Sequence, residues 1–208
     1  MKITLMCFLA LVVGWSRSGA AIPILDQTQL DFSSGEFVQG NISVAQTFTP
    51  SITGDLASLD LYIANHDTAE GKPLIVSICD TVSGLPGNQL GTVDLNNIGQ
   101  NYTWYSLDFS SLDISLNANT QYAFVLSCPG TFYGVYPAGS VNPNSYTGGM
   151  ALIQNGIGAS WQPDGRAPQL VFETYMTIPE PCSIGLLLLG GGLLGVRRFR
   201  FGGSCAVD

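Results

Sequence analysis

The chain has 208 residues, 46% of them hydrophobic and 11% charged, with 15 acids against 7 bases and a formal net charge of −8. Apolar residues recur through the middle in numbers that allow a packed core, which excludes disorder of the whole chain. Between residues 22 and 178 only Lys72 and Arg166 face thirteen acids, a net charge of −11. That sign excludes nucleic acid as a partner, because phosphate binding needs a basic surface, and it excludes adhesion to anionic lipid.

At the start, Met1-Lys2 leads into an apolar run at 3–13, followed by Gly14-Trp15-Ser16-Arg17 and the small residues Ser18-Gly19-Ala20-Ala21. One positive charge, an apolar run too short to span a bilayer and a small-residue patch predict a secretory signal peptide over 1–21, cut by signal peptidase after Ala20 or Ala21. Cys7 lies inside the apolar run, too early for a processed, lipid-bearing Cys.

From residue 22 to residue 177 the pattern is of short alternating segments separated by Gly, Pro, Asn and Asp, which predicts strands and turns in one exported domain. Strands are expected at 44–48, at 59–63, where Leu59, Leu61 and Ile63 alternate with Ser58, Asp60 and Tyr62, and at 74–79. Ser83-Gly84-Leu85-Pro86-Gly87-Asn88 reads as a turn, since Pro fixes φ and Gly permits positive φ. Extended segments then follow at 90–95, 103–109, 121–127, 134–136, 150–154 and 169–175. No segment of the middle has helical periodicity. Eight or nine short strands predict an all-β fold, a β-sandwich of the jelly-roll type.

The chemistry-bearing residues are few. His66 is the only histidine and sits in a turn-like run, where a surface role outweighs a catalytic base. A zinc site needs several His or Cys ligands, more than one His, Cys79 and Cys128 supply, and the acidic stretch at 67–70 lacks the spaced Asp pattern of a calcium loop. No metal or cofactor is therefore expected. Cys79 and Cys128 each lie near the end of a predicted strand, and two readings stand side by side: a disulfide formed in an oxidising compartment, or two separately buried thiols.

Glycoside hydrolysis needs only two facing carboxyl groups, for which Asp60, Asp67, Glu70, Asp94, Asp108, Asp113 and Glu173 are the candidates. Carbohydrate recognition instead needs exposed aromatic faces flanked by polar partners. Tyr102, Trp104, Tyr133, Tyr136 and Trp161 are the candidate glycan contacts, with Tyr146 also considered. Trp104 and Tyr105 are adjacent on one strand, so one of the two rings points inward.

The last part of the sequence reads Ile178-Pro179-Glu180-Pro181, then a Leu- and Gly-rich stretch at 182–196, then Arg197-Arg198-Phe199-Arg200, with Phe201 to Asp208 after it. As a helix that stretch extends about 22 Å, short of a hydrocarbon core of about 30 Å, so snorkelling arginines and local thinning make up the difference and a marginal transmembrane helix is expected over about 182–196, anchoring the protein in the membrane. Arg197, Arg198 and Arg200 on one side place the C-terminus in the cytoplasm and the main domain outside.

The proline-glutamate-proline motif, apolar stretch and basic cluster over 178–201 resemble the PEP-CTERM sorting signal of Gram-negative surface proteins. The resemblance implies processing at Pro179, Glu180 and Pro181 by an exosortase, a membrane-embedded Cys transpeptidase, and leaves 202–208 as a cytoplasmic tail. Ala45-Gln46-Thr47-Phe48, the Leu59 and Leu61 strand, the Gly84-Leu85-Pro86-Gly87 turn, Asn119-Thr120-Gln121-Tyr122-Ala123-Phe124-Val125-Leu126 and Leu170-Val171-Phe172-Glu173-Thr174-Tyr175 resemble the choice-of-anchor extracellular domains. That likeness implies a sandwich similar in outline to carbohydrate-binding modules. The expected function is therefore a non-catalytic surface or extracellular-matrix protein, polysaccharide-associated through exopolysaccharide. A glycan-acting hydrolase using a carboxylate pair is the alternative.

Overall fold

A computed structural model describes residues 22–65, 73–128 and 135–178. The readings made on 1–21, on His66, Asp67, Glu70 and Tyr133, and on the tail with Pro179, Glu180, Pro181, Arg197, Arg198 and Arg200 lie outside these residues. Among the described residues no helix is long and apolar enough to cross a membrane.

The described chain is all-β. Its strands are β1 (Ile24–Gln29), β2 (Ser34–Gly35), β3 (Ile42–Phe48), β4 (Gly54–Asn65), β5 (Leu74–Val82), β6 (Leu85–Leu95) and β7 (Thr103–Asp108). They continue as β8 (Ser115–Leu116), β9 (Tyr122–Ser127), β10 (Val135–Ser140), β11 (Ala151–Asn155), β12 (Gln162–Pro163), β13 (Gln169–Leu170) and β14 (Phe172–Thr177), with one 3-10 turn at Ser110–Leu112.

These strands form two antiparallel sheets. One is eight-stranded and runs β1-β14-β4-β10-β13, with β7 and β8 also paired to β4 and β2 to β10; the other runs β12-β11-β3-β9-β5-β6. Together they make a β-sandwich, as the alternation predicts. In β4, Leu59, Leu61 and Ile63 are buried while Ser58, Asp60 and Tyr62 are half-buried on the other face. The same period runs through β14, where Phe172, Thr174 and Met176 point in and Glu173 and Tyr175 point out.

Phe172 of the eight-stranded sheet joins the two layers. Its ring meets Phe124 of β9 edge-on at 5.3 Å and Tyr146 at 5.2 Å, and Phe48 of β3 lies 6.4 Å away. A buried amide pair makes the second tie between the sheets. Gln46 of β3 donates through Nε2 to Gln169 Oε1 of β13 at 3.0 Å and accepts the Leu170 N–H at 2.8 Å. Gln169 Nε2 in turn donates to the carbonyls of Pro143, Tyr146 and Gly149.

Three sequence expectations are corrected. The turn expected over 83–88 closes at Ser83 and Gly84, both at positive φ (54° and 80°) as a two-residue hairpin turn demands. Leu85, Pro86 and Gly87 already belong to β6, an edge strand where a proline without an N–H is tolerated.

Cys79 and Cys128 are separately buried free thiols, so the disulfide reading is not what forms. Ile75 of β5 pairs with Ser127, which sets residue 128 beside residue 74, five positions from Cys79. At about 3.3 Å per residue that is roughly 16 Å, against a Cα limit of about 7 Å for a disulfide. Burial pushes the Cys128 thiol up to about 12 and also raises Cys79, helped by Asp80, so both stay protonated and unreactive at neutral pH.

Tyr146, considered as a glycan contact, is a core residue. It is buried, its hydroxyl donates to Gln27 Oε1 at 2.9 Å, and that hydroxyl also receives the Thr49 N–H.

Arg166 is the only Lys or Arg among the described residues. It pairs with Glu36 Oε2 at 2.5 Å, without an aligned hydrogen bond, and approaches Asp164 Oδ1 at 3.6 Å. Glu36 is 1% exposed, and burial, then the neighbouring Asp164 carboxyl, raises its pKa to about 7 against the opposing pull of Arg166. A carboxyl whose folded pKa lies above its unfolded value of 4.5 holds its proton more tightly in the native state, so its contribution is full below 4.5 and falls as pH rises through about 7. Unfolding free energy is therefore expected to drop by up to about 3 kcal/mol across that window. Urea midpoints measured at half-unit pH steps check this, and Glu36→Gln is expected to flatten the slope.

Candidate functional site

The outer face of the eight-stranded sheet gathers side chains from five stretches of sequence. Register decides which of them meet. Tyr62 of β4 pairs with Trp104 of β7, and Asp60 of β4 lies between Ser106 of β7 and Glu173 of β14. Phe32, on the loop after β1, packs over Tyr62 and Tyr102.

The rings form a continuous cluster. Tyr62 and Trp104 have centroids 5.3 Å apart, Tyr62 stacks on Tyr102 at 5.6 Å, and Phe32 meets Tyr102 at 5.0 Å and Tyr62 edge-on at 5.8 Å. Tyr136 of β10 pairs with Ala64 and so shares this face; its ring packs on Phe37 at 5.1 Å. The Tyr102 phenol is raised by burial, then by Tyr136, Glu36 and Tyr62, which ties the two aromatic groups together. Gly35 makes room for it: a Cβ there would clash with the Tyr102 hydroxyl oxygen.

Beside the rings lies an open groove of about 410 Å³ lined by Leu30, Phe32, Asp60, Tyr62, Trp104, Val171 and Glu173. Phe32 and Trp104 keep 46% and 43% of their surface exposed, so aromatic faces remain available to a ligand. Asp60 and Glu173 are direct cross-strand partners, a position that sets Cβ atoms about 5 Å apart on the same face. Glu173 accepts the Tyr175 hydroxyl at 2.8 Å, and that bond, with burial and the Asp60 charge, pushes the Tyr175 phenol up to about 12. Asp60 Oδ1 is buried and has no hydrogen-bond partner among the described residues. The arrangement offers flat apolar rings beside acceptor-only oxygens, which suits a ligand with an apolar face and several hydroxyl or amine donors.

Of the five proposed glycan contacts, the structure brings Tyr102, Trp104 and Tyr136 to this face. Trp161 stands elsewhere, just before β12 at the edge of the six-stranded sheet, so it is no part of the cluster. Among the candidate acids that lie in the described residues, only Asp60 and Glu173 are brought together. Asp108 points out of the same sheet but accepts the Ser110 N–H at 2.9 Å, and bonds from Ser110 hold its carboxyl below the usual range. Asp113 ends the 3-10 turn at positive φ, and Asp94 lies on β6 of the other sheet. Sequence reasoning missed Tyr62, Phe32 and Leu30. Tyr62 had a signal, since it shares the outward phase of β4 with Asp60.

No group of His, Cys, Asp and Glu among the described residues is placed to hold a metal ion. No family model matches the chain. No curated protein matches it either.

Proposed function

We propose that this chain is an exported carbohydrate-binding module that docks a glycan on the outer face of its eight-stranded sheet. The observation that carries this reading is the run of Phe32, Tyr62, Tyr102 and Trp104 rings beside the Asp60 and Glu173 carboxylates. Sugar rings present C–H faces to aromatic planes and hydroxyls to carboxylates, so both halves of the groove have a use. The charge of −11 over 22–178 argues for neutral or cationic glycans over polyanionic ones.

Delivery belongs to the same proposal. The signal peptide at 1–21 exports the domain, and the PEP-CTERM tail at 178–201 holds it at the membrane until an exosortase releases it to the cell surface or matrix. A mature form whose intact mass lacks the residues beyond the Pro179-Glu180-Pro181 motif is expected; a persistent tail would leave a tethered protein. The strands cross from one sheet to the other at most connections, as between β3 and β4, β4 and β5, and β9 and β10, which supports a jelly-roll winding.

A glycan array probed with the full chain tests the binding reading. Trp104→Ala removes a large exposed ring and is expected to weaken the best signal at least tenfold while leaving thermal stability nearly unchanged. A blank array would shift the domain to a purely structural role.

The pairing of Asp60 with Glu173 also favours a second reading, a glycoside hydrolase. Both carboxylates project from one sheet, side by side, whereas acid and base or nucleophile must flank the scissile bond. Glycan turnover lost in both Asp60→Asn and Glu173→Gln would establish the enzyme; binding without turnover supports the module.

A further inference from the structure

Asp60 and Glu173 stand directly opposite each other on neighbouring strands, and like charges in that position repel. Nothing basic among the described residues offsets them, because Arg166 is engaged with Glu36 and Asp164. Among the described residues Glu173 receives the Tyr175 hydroxyl alone, and Asp60 keeps one buried oxygen without a partner. Left without a cation, the pair costs the sheet stability. The other walls of the groove are the rings of Tyr62, Trp104 and Phe32, whose faces carry the negative end of the aromatic quadrupole, and the uncharged Leu30 and Val171. Carboxylates and ring faces therefore present one sign of potential to whatever enters, and both attract a cation.

We infer that the groove selects a glycan bearing free, protonated amino groups, with an ammonium seated between Asp60, Glu173 and the Tyr62 and Trp104 rings. This rests on the carbohydrate-binding reading and narrows its ligand class to amino sugars that are not N-acetylated. A hexosamine ring lays its C–H face on Trp104 while its ammonium supplies the donors that both carboxylates accept. An N-acetyl group removes the charge and adds bulk where the acids stand, so the same polymer discriminates by its acetylation.

The test measures binding of the full chain, held in mild detergent, to two hexamers of β-1,4-linked glucosamine, one with free amines and one fully N-acetylated, at pH 5.5. The free-amine hexamer is expected to bind at least tenfold more tightly, with affinity falling as salt rises from 50 to 500 mM. The double variant Asp60→Asn, Glu173→Gln is expected to lose that preference and to melt at the same temperature as the parent or higher, since it relieves repulsion. A double variant that melts lower would mean that the carboxylates serve the fold, and it would overturn the inference. Equal affinity for the two hexamers overturns the charge selection while leaving the glycan reading intact. If neither hexamer binds and Trp104→Ala changes nothing on the array, the glycan reading falls with it.

Discussion

Replacing Gln169 with Leu is expected to lower the unfolding free energy by about 3–5 kcal/mol, a loss of about 10 °C in Tm for a domain of this size. The side chain is 2% exposed, and its amide serves the carbonyls of Pro143, Tyr146 and Gly149 together with Gln46 Nε2. Leucine keeps the volume and removes every one of those bonds. Each buried group left without a partner costs about 1–3 kcal/mol, and local relaxation recovers part of the sum. Because the three carbonyls all lie in the segment before β11, protease nicking within 141–150 should accelerate in the same variant. Gln154→Leu is the matched control. Its Nε2 makes a single bond, to the Ala159 carbonyl at 2.7 Å, in a half-buried setting, and a loss of no more than about 1 kcal/mol is expected in urea titrations.

Phe172→Ala is expected to cost about 3–5 kcal/mol for a different reason, the cavity left where the two sheets meet. Phe172 is fully buried, and its neighbours Phe48, Phe124 and Tyr146 come from three separate segments that cannot all collapse onto an alanine. Phe32→Ala separates core from site. That ring is 46% exposed, so its loss should leave stability within about 1 kcal/mol while weakening glycan binding. Equal destabilisation by the two alanines would contradict the division between an inner aromatic core and an outer aromatic face.

The strands most legible in the sequence were those with one buried face, since Leu59, Leu61 and Ile63 against Ser58, Asp60 and Tyr62 announce a period of two. β1 escaped because it is an edge strand: Ile24 and Leu25 are both exposed, and Asp26-Gln27-Thr28-Gln29 offers no apolar alternation. Pro86 and Gly87 misled in the opposite direction, as breakers that an edge strand accommodates. Trp104, Tyr102 and Tyr136 were visible as aromatic candidates. That Tyr62 joins them and that Asp60 meets Glu173 was not visible, because it depends on the register between β4, β7 and β14, and strand pairing across long sequence separations leaves no local trace. The same blindness to register left Cys79 and Cys128 undecided until the β5 and β9 pairing set them apart.

The central claim is that the outer face of the eight-stranded sheet is the binding surface. Titrating the best array ligand into Trp104→Ala and Trp161→Ala tests it most directly, because the described residues hold one tryptophan on that face and one at the edge of the other sheet. Loss of at least tenfold in affinity for Trp104→Ala, with Trp161→Ala unchanged, is the predicted result. Undiminished binding by Trp104→Ala, or loss confined to Trp161→Ala, would contradict the account.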